Sequence, residues 1–222
     1  MVKYIWLLVV PLLFISASAP QKDAPIEQGV ITYAVLYPKL TPEMRKLYTV
    51  LPLQMTVTFR YHMMCSEVST PASYSKTIIN ARNKDIAIIA HVSNRKILVQ
   101  RPGLDPSQAK PRVYIEKTED TTTIAGYVCK RAKITTLYMD NSTEQSEVWY
   151  CEDIGSPDFS YELNFEGLHG MLMRYTVKQG DIEQEYTAIK VEPKEISKGF
   201  FDLPSSGYEI MTDRQFMHLM SK

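Results

Sequence analysis

The side chains that could do chemistry are few and poorly spaced for it. Four histidines, His62, His91, His169 and His218, show no metal-ligand spacing such as H-x-x-x-H, and the three cysteines, Cys65, Cys129 and Cys151, form no C-x-x-C. Zinc sites draw on close pairs of such ligands, so no metal is expected. His62 lies three residues before Cys65. In an extended chain that separation puts the two on opposite faces, where they cannot serve as base and nucleophile. There is no G-x-S-x-G elbow, phosphate-binding loop or dinucleotide fingerprint. The sequence therefore points away from an enzyme and implies no cofactor.

Charge narrows the partners further. Lys plus Arg is 25 and Asp plus Glu is 25, so no net field draws the protein to nucleic acid. The first nineteen residues, MVKYIWLLVVPLLFISASA, carry Lys3, an apolar run from Ile5 to Ile15 and small residues at the end. This is the layout of a signal peptide, with cleavage expected after Ala17 or Ala19. The apolar run is too short for a stable transmembrane span. The expectation is a protein that is periplasmic or exported to the cell surface, with residues 20–222 as a single domain.

An oxidising compartment permits disulfides. Cys129 and Cys151 are equidistant from a turn at Asp140-Asn141-Ser142, so antiparallel pairing sets them face to face. A cross-strand disulfide is expected, the alternative being two buried thiols. Cys65 is left over and reads as a small core residue.

These residues need a scaffold, and the scaffold reads as β. In LQMTVTFRYHMMC, residues 53–65, an apolar side chain recurs at every second position from Leu53 to Cys65. That period predicts one long strand. Further β-branched and aromatic runs follow at 29–38, 74–81, 86–92, 95–100, 112–116, 124–138, 147–152, 170–178 and 182–191, separated by turns too short for parallel crossovers. The proline-rich stretch 101–111 is read as a long loop within one sheet. Two amphipathic helices are expected. The first, 41–51, has Thr41 as N-cap, Pro42 in its first turn and Met44, Leu47, Tyr48 and Leu51 on one face. The second, 212–220, has Thr212 and Gln215 at capping-box spacing, and Met211 and Phe216 as a hydrophobic staple. The predicted fold is mainly β (α+β): a single strongly curved antiparallel sheet, an incomplete barrel of about ten strands, with both helices on its concave side.

Four segments, IAGYVCKRAKI (124–134), VWYCEDIG (148–155), FEGLHGMLMRY (165–175) and FFDLPSSGYEI (200–210), carry a resemblance. In their order and spacing the chain resembles the GLPGLI-type family of exported Gram-negative proteins, whose signature reads here Gly167-Leu168-His169-Gly170-Met171-Leu172. His169 stands in the place of the proline and Met171 in that of the second leucine. The resemblance implies an envelope location and a likeness to the curved half-barrel of periplasmic lipoprotein carriers.

The function expected is a non-enzymatic periplasmic carrier for a hydrophobic ligand such as a lipid or lipoprotein acyl chain. The residues expected to line its site are Met44, Leu47, Tyr48, Leu51, Met55, Val57, Phe59, Tyr61, Met63, Phe216 and Met220, a methionine-rich and deformable set. The alternative is an envelope interaction or scaffold protein, partnered by other exported proteins, with the same residues forming a closed core. A transmembrane barrel fits less well, because segments such as GYVCKRAKI and DIEQEYTAIKV carry charge on both faces.

Overall fold

Short turns between β-branched runs fold the chain into a meander. A computed structural model describes residues 24–41, 51–92, 94–101, 111–156, 159, 165, 167–179 and 182–220. Its strands are β1 (Gln28–Leu36), β2 (Gln54–Arg60), β3 (Met63–Ser69), β4 (Ser73–Asn80), β5 (Asp85–Val92), β6 (Arg95–Arg101), β7 (Arg112–Ile124), β8 (Tyr127–Leu137), β9 (Thr143–Cys151), β10 (Met171–Gln179), β11 (Ile182–Pro193) and β12 (Glu209–Met211), followed by the helix α1 (Asp213–Met220). All twelve strands lie in one open sheet in the order β12-β6-β5-β4-β3-β2-β1-β11-β10-β9-β8-β7. β1 is thus central, joining the meander β2–β6 to the meander β7–β11. The sheet bends: β7 contacts β11, although four inter-strand steps would separate them by roughly 19 Å in a flat sheet.

Alternation divides the apolar residues between the two faces. Ile31, Tyr33 and Val35 of β1, Met55, Val57 and Phe59 of β2, Ile79 of β4, Ile86 of β5, Cys129 of β8, Cys151 of β9 and Met171 and Met173 of β10 belong to one buried cluster. This is the inward face, where both meanders meet. On the outward face Val30, Cys65, Ile78, Ile89 and Leu98 are covered by Ile196 and Phe201. Those two come from the segment 194–208, which straps the first meander as it runs from β11 to β12. Lys76 Nζ donates to the Phe200 carbonyl at 3.0 Å, and His91 Nε2 lies 3.1 Å from the Tyr208 hydroxyl, fixing the strap at two points. Outside the second meander, Phe165 and Leu168 cover Ala132, Ile134, Val148 and Leu172. Burying each large apolar side chain contributes about 1.5–3 kcal/mol, so a slip of one residue in any strand would be prohibitive.

Several expectations are corrected. The stretch 53–65 is not one strand: it turns at Tyr61 and His62, with Arg60 paired to Met63. Across this two-residue turn, facing residues have opposite parity, Phe59 opposite Met64 and Thr58 opposite Cys65. Met63 and Cys65 therefore lie on the outward face with Val30 and Ile78, away from Phe59. Twelve strands replace about ten, because that segment yields two and Glu209–Met211 adds another. The sheet is not wholly antiparallel, since β12 runs parallel to β6.

The pair of helices over the concave side is not supported. Residues 42–50 of the first lie outside the described residues, as do the leader 1–19 and the loop 102–110. In the second, the Thr212 backbone N–H donates to Gln215 Oε1 at 2.9 Å and the Gln215 N–H to Thr212 Oγ1 at 3.3 Å. Its residues Phe216 and Leu219 pack only at the sheet's end, against Ala90, Ile97 and Val99 of β5 and β6.

Candidate functional site

The inward face does not fill completely. Between the two meanders it leaves a cavity of about 360 Å³, within the range of small-molecule sites. From the first meander come Met55, Val57, Met64, Ser66 and Arg101; from the central strand Tyr33; from the second meander Met171, Leu172, Tyr175, Val177 and Tyr186; and Phe159 enters from the β9–β10 connection. Arg101 sits on β6 and Tyr186 on β11, six places apart in the sheet. Only a bent sheet brings them to one cavity.

Aromatic rings organise its walls. Tyr175 and Tyr186 are cross-strand partners and stack with centroids 5.0 Å apart. Tyr33 meets Tyr175 edge-on at 6.2 Å, and its hydroxyl donates to the Leu172 carbonyl at 2.7 Å. That bond satisfies the one polar atom of a fully buried ring, whose acidity burial suppresses. Burial likewise pushes the Tyr186 hydroxyl up. Tyr33 and Tyr186 are therefore neutral, and among the described residues the single formal charge lining the cavity is the guanidinium of Arg101. Its Nε lies 2.7 Å from Asp213 Oδ2 at the start of α1.

The residues expected to bind a ligand separate. Met55 and Val57 line the cavity. Phe59 lies behind it, fully buried. Tyr61 stands at the hairpin tip, 46% exposed, under the Arg60 guanidinium. Met63 lines a different cavity, of about 390 Å³ on the outward face, with Ile78, Ala87 and Phe201. Leu51 lines a third cleft with Leu53 and Val68. Phe216 packs on β6 and does not line the inward cavity. Met44, Leu47 and Tyr48 lie outside the described residues, as does the side chain of Met220.

Sequence reasoning missed Tyr33, Met64, Ser66, Arg101, Phe159, Met171, Leu172, Tyr175, Val177 and Tyr186. Tyr33 was within reach, because it shares its parity with Ile31 and Val35 along β1. The others required knowledge of register or of the bend.

The expected disulfide is absent. Cys129 and Cys151 are buried free thiols, as is Cys65. The β8–β9 register itself is as the turn implied, with Lys130 opposite Tyr150, and the two thiols lie within hydrogen-bond reach. The Cys129 thiol donates to the Tyr127 carbonyl at 3.4 Å; the neighbouring Cys151 thiol and burial hold the Cys129 proton on, while the same neighbour lowers Cys151. Burial pushes the Cys65 thiol up to about 12, which removes it as a nucleophile at neutral pH.

The outward face carries the densest set of titratable groups. The Tyr74 hydroxyl donates to Glu67 Oε1 at 2.6 Å, and Tyr74 packs on His91 at 5.3 Å, which in turn meets Tyr208. Burial and Glu67 together hold the Tyr74 proton on. This cluster fastens the strap. Among the described residues no group of three or more His, Cys, Asp or Glu could hold a metal ion, and no helix is long and apolar enough to cross a membrane.

No protein-family model matches the chain, and no curated protein matches it in sequence. Two solved structures of PNGF-II are similar in fold. The one in the P21 space group has a TM-score of 0.55 at 16% identity, covering 88% of this chain and 34% of that chain. The one in the C2 space group has a TM-score of 0.51 at 17% identity, covering 88% and 33%. The likeness is one of fold. The chain spans about a third of the length of the PNGF-II chains it matches.

Proposed function

We propose that this protein is a non-enzymatic binding module that holds a hydrophobic ligand, a lipid or an acyl chain, in its inward cavity outside the cytoplasm. The observation that carries the reading is the cavity itself, about 360 Å³ between two meanders. Its methionines adapt to ligand shape and its tyrosines supply rigid walls. The envelope location rests on the leader-like first nineteen residues and on the GLPGLI-type resemblance.

The alternative, a scaffold that recruits exported proteins by strand addition, finds little support at the edges of the sheet. β7 presents Glu116, Lys117, Glu119 and Asp120 and shifts register between Lys117 and Thr121. At the other edge β12 has three residues. Charge, irregularity and shortness each discourage pairing with another chain.

The test is a melting curve of protein stripped by denaturing wash and refolded, with and without envelope lipid extract. A ligand present at a hundred times its Kd adds about 2.7 kcal/mol, which raises Tm by roughly 5–10 °C in a domain of this size. An unchanged curve contradicts the reading.

A further inference from the structure

The inward cavity has a polarity that bears on what it holds. Among the described residues its wall is aliphatic, thioether or aromatic, apart from the Ser66 hydroxyl and the Arg101 guanidinium. Arg101 ends β6, directly opposite Ile86 of β5, which belongs to the inward core. Register thus places the charge on the inward face. A guanidinium stays charged at every working pH, and its planar fork matches a carboxylate bidentately.

Its structural partner is Asp213, the first residue of α1. The two side chains are 43% and 38% exposed, and ion pairs so accessible to water contribute little to stability. α1 does not depend on that pair to stay formed or docked. Thr212 and Gln215 cap it reciprocally, while Phe216 and Leu219 seat it on Ile97 and Val99. Asp213 is therefore an exchangeable occupant of the guanidinium.

We propose that the cavity binds an amphiphile with an aliphatic body and a carboxylate head, the body lying among Met55, Val57, Met171 and Tyr175 and the head on Arg101 in place of Asp213. This rests on the ligand-binding reading above and adds to it the chemical class and the orientation of the ligand. Charge complementarity selects the occupant: an uncharged hydrocarbon would gain nothing from the Arg101 cation, whereas a fatty-acid head replaces one carboxylate with another. Binding then removes the polar tether of α1 while leaving its cap and its apolar seat in place.

The experiment titrates decanoate and decanol, which share a tail and differ in the head, into the wild-type protein, R101Q and D213N by calorimetry. Wild type is expected to bind decanoate at least about tenfold more tightly than decanol, as a charge-assisted bidentate contact allows. R101Q should lose about tenfold for decanoate and nothing for decanol. D213N keeps the guanidinium and removes its competitor, so it should bind decanoate more tightly. This keeps the proposal testable if R101Q fails to fold. Equal wild-type affinities for the two ligands, or an unchanged decanoate affinity in D213N, overturn the carboxylate assignment and leave the cavity reading standing. If neither ligand binds wild type, both fall.

Discussion

Phe59 meets Phe159 edge to face, with ring centroids 6.3 Å apart and planes 75° from parallel. Phe59 comes from β2 in the first meander and Phe159 from the connection between β9 and β10 in the second. The contact closes the space behind the cavity and ties the two meanders on the inward side. Phe159 also lines the cavity.

The hairpin at Tyr61 makes a prediction that a continuous strand would not. Phe59→Ala removes a fully buried ring and should cost about 3–5 kcal/mol. Tyr61→Ala removes a ring at an exposed tip and should change stability by no more than about 0.5 kcal/mol. In an unbroken stripe the two would share a face and a similar cost. Urea unfolding of both variants measures the difference.

Two glycines of the segment Gly167–Leu172 should respond differently to alanine. Both have positive φ, +99° and +93°, so each substitution carries a backbone penalty of about 1 kcal/mol. At Gly167 a Cβ meets nothing within 4 Å, whereas at Gly170 it would lie 2.0 Å from the Cys151 carbonyl oxygen. That oxygen belongs to β9 beside the first residue of β10, and it cannot withdraw without opening the ladder. Gly167→Ala should therefore cost about 1 kcal/mol and Gly170→Ala at least about twice that, measured as the shift in denaturant midpoint at constant slope.

The thiols supply a third prediction. At about pH 8.5 an ordinary cysteine is half ionised and alkylates readily. Cys65, pushed up to about 12 by burial, should not react with iodoacetamide in the native protein at that pH, and should react once urea is added. Cys129 and Cys151, buried and free, should also each take label in urea without prior reduction. Intact mass after labelling reads all three sites; protection of the last two in urea would mean that they are bonded to each other.

How far the fold was legible follows from where the turn chemistry was visible. The β8–β9 register could be read because its turn is written in the sequence. The Ser142 backbone N–H donates to Asp140 Oδ1 at 2.9 Å, and Asn141 takes a φ of +64°, a conformation asparagine accepts readily. The β2–β3 turn places Tyr61 at a φ of +51°, with no glycine, asparagine or proline to mark it, so alternation ran straight through and put Met63 on the wrong face.

The cavity was legible only at Met55 and Val57, for a related reason. Met55 and Val57 follow from the period of their own strand, but Arg101 borders a proline-rich loop and reads as part of it. Tyr175 and Tyr186 become neighbours only once β10 and β11 are in register. Phe159 belongs to a connection with no periodicity at all.

The central claim is that the inward cavity is a ligand site. It is tested most directly by purifying wild type and Ser66→Phe from the native host cells and extracting each with organic solvent for mass spectrometry. Ser66 is partly buried, lines the cavity and pairs with Val57, so a phenyl ring there fills the space from one wall. The account predicts a near-stoichiometric amphiphile from wild type and its loss from Ser66→Phe with the melting transition of the stripped proteins retained. An empty wild type, or equal ligand in both proteins, would contradict it.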